Sequence, residues 1–222
     1  MFKGKVVALA LMLVFATSIY AGDVDDCLSD CGVSCVGMTV SICPGGDFDE
    51  IRKGCGGELD YIWIQAINAD TLPIPNIPWT DYWLNACDPT KQLWLCAQPI
   101  VADSLTGANG MTTFSGRISA GGCTWHATTP QGIWWAIQGK PILAKPCATA
   151  KKCLAIILNG PDLVGAGGPD GNVNLSDLVP FGAAYAKPPG HLAYNACCDY
   201  NNDTFVNLSD FAFFGTHYTH HC

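Results

Sequence analysis

Short apolar segments alternate with turn residues between Met38 and about Ile142, and no helical periodicity persists over this part of the chain. This pattern predicts an all-β region, because β-strands are short and because glycine and proline end them. We expect a turn at Ala120–Gly122, where two glycines follow an alanine. The spacing of the apolar segments is typical of a β-sandwich. The predicted strands are Met38–Cys43, Leu59–Asn68, Gln92–Ile100, Thr112–Ser119 and Gly132–Gln138.

Several predicted strands carry large apolar residues on both faces, whereas a strand covered on one side alternates apolar and polar residues. Trp134 and Trp135 are neighbours, so a strand through them directs one of the two indoles away from the core. Three alternative partners could pack on that outward face: a loop of the same chain, a neighbouring copy, or a sugar stacked on the indole. The interface or sugar candidates are Trp63, Trp94, Trp134 and Trp135.

The pattern changes near the C-terminus, where a segment of the chain is repeated. Asp170–Tyr185 recurs as Asp203–Tyr218, at a constant offset of 33 positions. Each copy begins with acidic and amide residues and continues with apolar residues at three- and four-residue steps, which predicts a loop followed by an amphipathic helix. We expect the two helices to pack on each other. The apolar residues are Leu175, Leu178, Phe181 and Tyr185 in the first copy and Leu208, Phe211, Phe214 and Tyr218 in the second.

Oxygen-bearing side chains in and before the second copy follow the spacing of a 12-residue calcium loop. Ca²⁺ takes about six to eight oxygen ligands, and without a cation three carboxylates so close together would repel one another. We therefore expect the fold of this region to depend on calcium. The side-chain candidates are Asp199, Asn201, Asp203, Asn207 and Asp210 at positions 1, 3, 5, 9 and 12, and Phe205 offers its backbone carbonyl at position 7.

The first copy matches this loop incompletely. At the constant offset, positions 1 and 3 fall on Ala166 and Gly168, which carry no side-chain oxygen. Asp162 serves as the first ligand only if Leu163–Pro169 bulges as an insertion. The second copy differs at position 6, where Thr204 replaces the glycine that the turn prefers. The calcium candidates of the first copy are Asp162, Asp170, Asn172, Asn174 and Asp177, and Gly171 supplies its position 6.

The paired loops resemble a type I dockerin domain, in which duplicated "D-x-N-x-D-G-x-V-N-x-x-D-L" loops each lead into a helix. The resemblance covers about Cys153–Cys222 and implies two bound calcium ions and docking onto a cohesin partner. Loop positions 10 and 11, which carry partner recognition in many dockerins, read Leu175-Ser176 and Leu208-Ser209. Half of each pair is therefore apolar, and association with another copy of the chain fits at least as well as a cohesin-like partner.

A second, shorter resemblance lies in the predicted β region. Ala102–Gly116 resembles the hairpin of bacterial Ig-like surface domains, in which a "D-x-x-G-x-x-x-F" pattern joins two strands. The two resemblances together imply a mostly β fold, with an Ig-like β-sandwich followed by a small α-helical dockerin-like domain. The expected organisation is a signal peptide at 1–21, a cysteine-rich lead at 22–37, the sandwich at 38–147 and the dockerin-like domain at 153–222.

The first residues have the pattern of a secretory signal. Lys3 and Lys5 precede the apolar run Val6–Phe15, and Ala21 precedes a candidate cleavage site. An uncleaved anchor is the alternative, but the run is shorter than the roughly 20 residues that a spanning helix needs. We expect an extracellular or cell-surface protein with no membrane span after cleavage. All 13 cysteines follow this segment, so disulfides are expected. Because the number is odd, at least one cysteine keeps a free thiol or forms a disulfide with another molecule.

The disulfide candidates fall at the two ends of the mature chain. Cys197 and Cys198 are adjacent and must pair with different partners, and a bond from one of them to Cys222 would clamp the second loop–helix unit. Metal ligation is the alternative for the three cysteines of the lead segment, at spacings of four. The lead candidates are Cys27, Cys31 and Cys35. The C-terminal histidines have two interpretations: they bind a transition metal, or they lie in a solvated tail. These residues are His217, His220 and His221.

The amino-acid composition and the lack of known motifs reduce the number of function classes that fit the chain. Charged residues make up 14% of the chain and apolar residues 49%, so we expect a partner subunit or sugar to cover part of the surface. The net charge of −8 and the lack of clustered basic residues argue against nucleic acid. No catalytic or nucleotide-binding motif is present, and the two glutamates, Glu50 and Glu58, flank Cys55 in a glycine-rich loop. We expect no enzyme.

The leading expectation is a secreted bacterial structural or adhesive protein that self-associates into an extracellular filament or surface layer, stiffened by calcium and disulfides. The apolar outward faces, the scarcity of charge and the odd cysteine favour it. The alternative is a dockerin-borne docking or carbohydrate-binding module that attaches to a scaffold or polysaccharide.

Overall fold

The protein is mostly β, with two α-helices in the described part of the chain. A computed structural model describes residues 22–35, 38–45, 52–53, 61–87, 93–96, 100–116, 118–124, 132–154, 156–165 and 168–222. The expected signal at 1–21 and both glutamates lie outside these residues. Within them, no helix has the length and apolar character needed to cross a membrane.

The strands are short, as the frequent glycines and prolines predict. In chain order they are β1 Asp30–Val33, β2 Thr39–Ser41, β3 Arg52–Lys53, β4 Ile62–Gln65, β5 Tyr82–Ala86, β6 Leu93–Leu95, β7 Met111–Phe114, β8 Ala120–Gly122, β9 Ile133–Ile137, β10 Lys140–Pro141 and β11 Ile157–Asn159. The helices are α1 Leu175–Ala184 and α2 Leu208–His217, and short 3-10 turns lie at Trp79–Asp81 and Ala196–Cys198.

The strands form four small sheets. Two are three-stranded and antiparallel, with the orders β1-β4-β7 and β10-β9-β5. The third has the order β11-β2-β3, and there β2 pairs in parallel with β11 and antiparallel with β3. The fourth is the antiparallel ribbon β6-β8. Because β11 pairs with β2, the chain returns to the β region after residue 153, where we expected the C-terminal domain to begin.

Two apolar cores stabilise the fold. The larger joins inward residues of most strands, including Ile62 and Ile64 of β4, which alternate with the half-buried Trp63. Its largest fully buried side chain is Trp135, which contacts Phe114 edge to face. The smaller core lies between the two helices, where Phe181 stacks on Phe214 at 5.8 Å between ring centroids. Helix packing on a shared aromatic core thus agrees with the expectation from the repeat.

The observed strands are shorter than the predicted ones, and several were missed. Each of the five predicted segments overlaps a strand, but β3, β5, β8, β10 and β11 lie outside them, and β1 lies in the lead segment. The turn expected at Ala120–Gly122 is wrong, since these residues form β8 and pair with Leu93–Leu95. Glycine suits β8 because it passes close to another chain segment: a Cβ at Gly121 would overlap the Asp162 carboxylate.

Disulfides connect distant parts of the chain. Cys27 pairs with Cys147 and Cys87 with Cys153, while Cys35 is also disulfide-bonded. Two further bonds, Cys96–Cys222 and Cys123–Cys197, link the ends of β6 and β8 to the C-terminal segment. Long loops of this kind restrict the unfolded chain and stabilise the fold by about 2–4 kcal/mol each. Several disulfides in one chain are typical of a protein from an oxidising, extracellular-type compartment.

Among the described residues, the cysteines with a buried thiol are Cys31, Cys43 and Cys198. The expected disulfides of Cys31 and Cys198 are therefore wrong, as is a bond from Cys197 or Cys198 to Cys222. Cys31 faces the larger core from β1 and Cys198 lies in the helix core, so both behave as small apolar residues. Burial raises the pKa of the Cys31 and Cys198 thiols to about 12.

Candidate calcium sites

Each repeat begins its helix with the same cap. Asn174 and Asn207 have extended backbones and accept hydrogen bonds from the amides of Ser176 and Ser209, both at 2.8 Å. In return, Asp177 and Asp210 accept the backbone amides of the two asparagines, both at 2.9 Å. This reciprocal capping box follows from the shared Asn-x-x-Asp sequence and satisfies amides that the first helical turn leaves unpaired.

The two capping aspartates also bind the chain that enters each loop. Asp210 Oδ1 accepts from the amides of Tyr200 and Asn201 at 2.8 and 3.3 Å. Asp177 Oδ1 accepts from the amides of Leu163 and Val164 at 2.7 and 2.8 Å. Both carboxylates are completely buried. Leu163 and Val164 in the first copy thus correspond to Tyr200 and Asn201 in the second.

A second carboxylate organises the opposite side of each loop. Asp199 accepts from the amides of Asp203 and Thr204 at 3.0 and 2.8 Å. Asp162 accepts from the amides of Asp170 and Gly171 at 3.1 and 2.8 Å. The pattern is the same in both copies, so Asp162 occupies the position of Asp199.

The first loop therefore contains an insertion. The offset between equivalent residues is 37 from Asp162 to Asp199 but 33 from Asp170 to Asp203, so the first loop is four residues longer. The extra residues lie between Val164 and Asp170. A Cβ at Gly165 would lie 2.5 Å from Asp170 Cβ, so the bulge closes tightly around a glycine.

This correspondence corrects the constant-offset assignment of the first loop. Position 1 is Asp162 and position 3 is Val164, instead of Ala166, which lies outside the described residues, and Gly168. Val164 has no side-chain oxygen, so the first loop lacks the ligand that Asn201 offers in the second. Asn172 corresponds to Phe205, at position 7, and its side-chain nitrogen donates to Asp170 at 3.2 Å. The glycines at 165, 167 and 168 were the sequence signal for the bulge.

Side chains of the second loop converge on one carboxylate. Asp203 Oδ2 accepts from Asn201 Nδ2 at 2.9 Å and from Asn207 Nδ2 at 3.2 Å. Asn207 Nδ2 also lies 3.3 Å from the carbonyl oxygen of Phe205. Five of the six predicted ligand positions are thus joined by direct contacts, and Asp210 binds the Asn201 and Asn207 amides from the helix side.

Both loops pass through the same backbone conformation at position 6. Gly171 has φ +81° and Thr204 has φ +76°, in the left-handed region that favours glycine. In the second loop a β-branched residue adopts this conformation, at a cost of order 1 kcal/mol or more. The Thr204 amide donates to Asp199, so the strained turn is one of the elements that fold the loop around that carboxylate.

Burial makes both loops electrostatically unusual. Desolvation raises the pKa of Asp162 to about 7, partly offset by hydrogen bonds from the Asp170 and Gly171 amides. Desolvation also raises the pKa values of Asp177, Asp199 and Asp210. Among the described residues, no lysine or arginine forms an ion pair with any of these four aspartates. Buried carboxylates grouped with amide and carbonyl oxygens fit a hard dication, whose charge would offset the desolvation.

The tryptophan candidates divide into three environments. Trp135 is fully buried, so its assignment to an interface or sugar site is wrong. Trp63 packs across Gly32, which has no Cβ to obstruct the indole. Trp134 lines a cleft of about 490 Å³ with Trp94, and the Lys151 ammonium lies 3.9 Å above its ring centroid. The outward face of Trp134 is thus covered by the same chain, whereas Trp94 is 48% exposed.

Comparisons with known proteins identify no family. No family model matches the chain, and no curated protein is similar to it. Two solved structures that match are a C-terminal and an N-terminal interface mutant of a type II cohesin–X-dockerin complex from Acetivibrio cellulolyticus, at 16% and 15% identity. Each match covers 82% of this chain and 96% of the other, with TM-scores of 0.28 and 0.27. A similarity this low carries no argument about function.

Proposed function

We propose that the protein is a secreted, calcium-dependent docking protein whose C-terminal loop–helix pair is dockerin-like. One observation carries this proposal: Asp162 and Asp177 bind backbone amides in the same pattern as Asp199 and Asp210. A duplicated scaffold, with one buried carboxylate at the turn and one at the helix start of each loop, fits a pair of calcium loops. The N-terminal region, with its short antiparallel strands, is proposed to be an Ig-like sandwich that carries this module.

In the proposed second site, the ion is held by the Phe205 carbonyl and by five side chains, those of Asp199, Asn201, Asp203, Asn207 and Asp210. In the proposed first site, the ion is held by the Asn172 carbonyl and by four side chains, those of Asp162, Asp170, Asn174 and Asp177. Bound Ca²⁺ supplies the positive charge that the buried carboxylates lack and fixes the loop from which each helix begins. The helix pair then presents a fixed surface to a partner.

The proposed docking surface consists of exposed apolar residues on the two helices. Leu175 and Leu208, at loop position 10 of each copy, are 65% and 68% exposed. Val179 of α1 and Phe211 of α2 are exposed as well. The repeat expectation was therefore wrong for part of each apolar stripe: Phe181 and Phe214 face the core, whereas both leucines face solvent. Apolar residues exposed at equivalent places mark an interaction surface, and we assign it to a protein partner of the cohesin kind.

Binding to a panel of purified cohesins, measured by surface plasmon resonance in calcium and in chelator, tests this function. We expect calcium-dependent binding to at least one cohesin, lost in a Leu175→Ser/Leu208→Ser variant and kept in Leu72→Ser. Leu72 is a matched control because it is an exposed leucine of the β region. A folded, calcium-loaded protein that binds no cohesin overturns the proposed partner.

The sequence also led us to expect self-association. In that case a second copy of the chain binds the same helix surface. Light scattering across a concentration series separates the two partners. A mass that rises with concentration, and falls to the monomer in the double leucine variant, assigns the surface to self-assembly and overturns docking to cohesin.

A sugar is the second candidate ligand, favoured by the cleft between β5, β6 and β9. The cleft is lined by the indoles of Trp94 and Trp134 and by the polar side chains of Asn85 and Lys151. Such combinations of aromatic and polar groups bind sugars. Retention on insoluble polysaccharide, lost in Trp94→Ala and kept in Trp79→Ala, would favour this role. Trp79 is an appropriate control because it is equally exposed, at 49% against 48% for Trp94, and does not line the cleft.

A further inference from the structure

A sulfur and two imidazoles meet where the β region contacts the end of α2. Cys43 lies beyond β2, His217 is the last residue of α2, and His220 follows three residues later. One ligand atom of each residue lies within 4.8 Å of the others. Cys43 and His217 are buried, at 0% and 1% exposure, and His220 is half-buried. A solvated tail is therefore the wrong expectation for His217.

Two of the distances within this cluster match the edges of a coordination tetrahedron. Zinc–nitrogen bonds of about 2.0–2.1 Å and zinc–sulfur bonds of about 2.3 Å place ligand nitrogens about 3.3–3.4 Å apart and nitrogen and sulfur about 3.6 Å apart. His217 Nδ1 and His220 Nδ1 are 3.3 Å apart. Cys43 Sγ lies 3.5 Å from His220 Nδ1.

The cluster also contains hydrogen bonds, since the Cys43 thiol donates to the Pro44 carbonyl at 3.2 Å. An imidazole nitrogen offers either one hydrogen or one lone pair, yet His220 Nδ1 faces both His217 Nδ1 and Cys43 Sγ. A metal ion at the centre bonds to all three ligand atoms at once.

We infer that Cys43, His217 and His220 bind a divalent transition metal of the zinc class. One thiolate and two imidazoles are ligands that zinc, cobalt, nickel and copper prefer, whereas calcium takes oxygen. Three protein ligands leave one tetrahedral position for water. The ion joins Cys43, two residues beyond β2, to the end of α2, so it holds the helix pair on the β region.

The site is independent of the proposed calcium loops in its residues and its ligand chemistry. A second cluster with metal-ligand atoms, Asp25, Asp26 and Cys27, differs because its sulfur is in the disulfide with Cys147. Among the described residues, the Cys43 cluster is thus the group of this kind that retains a thiol.

Metal content of the folded, calcium-saturated mature chain tests the inference. After equilibration with micromolar zinc and removal of the excess, we expect one zinc ion per chain by atomic emission. His220→Gln and Cys43→Ser should lose it, with an affinity lower by at least about a hundredfold, because even changes around a ligand cost about 10–100-fold. His221→Gln and Cys198→Ser are the matched controls, an exposed neighbouring histidine and a second buried thiol, and should keep it.

Cobalt substitution gives a second, spectroscopic test. We expect the visible bands of tetrahedral cobalt and a thiolate-to-cobalt charge-transfer band, which Cys43→Ser abolishes while circular dichroism stays unchanged. Three results would overturn the inference: a folded wild-type chain that holds no zinc, equal zinc in all four variants, or a Cys43–Cys198 disulfide found by mass spectrometry. The last is a real competitor, because both thiols lie in the helix core.

Discussion

The first and second loops share a hydrogen-bond scaffold and differ in the candidate calcium ligands on it. In both, one buried aspartate binds two amides at the turn, and another binds the helix cap and the entering chain. The first loop keeps glycine at the turn but has Val164 at position 3. The second has Asn201 at position 3 but forces Thr204 into a left-handed conformation.

This difference separates two roles that one calcium loop combines. The aspartates at positions 1 and 12 bind backbone amides and so determine the fold of the loop, even where four residues are inserted between positions 3 and 5. The backbone amide of position 3 donates to the position 12 aspartate in both loops, so the loops differ there in the side chain: Asn201 offers an oxygen and accepts from the Asp203 amide at 2.9 Å, whereas Val164 offers none. We therefore expect unequal calcium affinity on equivalent backbones.

The largest expected effect comes from the scaffold. Asp210→Ala removes the acceptor of one buried and two partly buried backbone amides, and an unsatisfied buried amide costs about 1–3 kcal/mol, so we expect a loss of about 3–5 kcal/mol in the free energy of unfolding. Asp177→Ala should cost a similar amount because Asp177 accepts the equivalent amides. Denaturant unfolding in chelator measures both. A loss below about 1 kcal/mol in either variant would break the equivalence of the two loops.

The next effect concerns the ion. Asn201→Val gives the second loop the position 3 residue of the first, and we expect its calcium affinity to fall about tenfold, or about 1.4 kcal/mol. The reciprocal change, Val164→Asn, should strengthen binding at the first loop. Competition with a chromophoric chelator measures both affinities. An unchanged affinity in Asn201→Val would show that position 3 does not distinguish the loops.

The turn at position 6 should respond in opposite directions in the two loops. Thr204→Gly relieves a left-handed β-branched residue, and we expect about 1 kcal/mol of stabilisation. Gly171→Ala introduces a Cβ at positive φ, 3.4 Å from both Cys222 Sγ and Trp94 Nε1, and should destabilise by about 1–2 kcal/mol. Thermal unfolding at fixed calcium compares the pair, and two shifts of the same sign would refute this explanation.

The smallest effect lies at the helix ends. Ala186 and Thr219 follow α1 and α2 with φ +58° and +74°, in the conformation that a C-terminal glycine cap normally adopts. We expect Ala186→Gly and Thr219→Gly each to stabilise by about 0.5–1 kcal/mol, since both amides keep their bonds to Val206 and Val173. Unfolding curves that move the other way would show that the alanine and threonine side chains contribute more than the strain they impose.

Periodicity and spacing predicted the parts of the molecule that local chemistry determines. The amphipathic helix of each repeat and the order of the candidate ligands in the second loop follow from neighbouring residues. The first loop could not be aligned from the constant repeat, because an insertion changes the offset and only the amide bonds to Asp162 reveal the new register.

The disulfide pairing and the thiol–imidazole cluster depend on contacts between distant segments, which no local pattern encodes. Cys43 and His217 are 174 positions apart in the chain. The strand β8 was missed for a related reason, because its glycines are explained by the close approach of Asp162 and not by a turn.

Titration calorimetry of calcium into the calcium-free, disulfide-intact protein tests the central claim most directly. The two loop scaffolds predict two calcium ions per chain, one bound more tightly than the other, with the tighter event weakened by Asn201→Val and the weaker one strengthened by Val164→Asn. A folded protein that takes up no calcium, or whose two variants leave both events unchanged, would contradict the account.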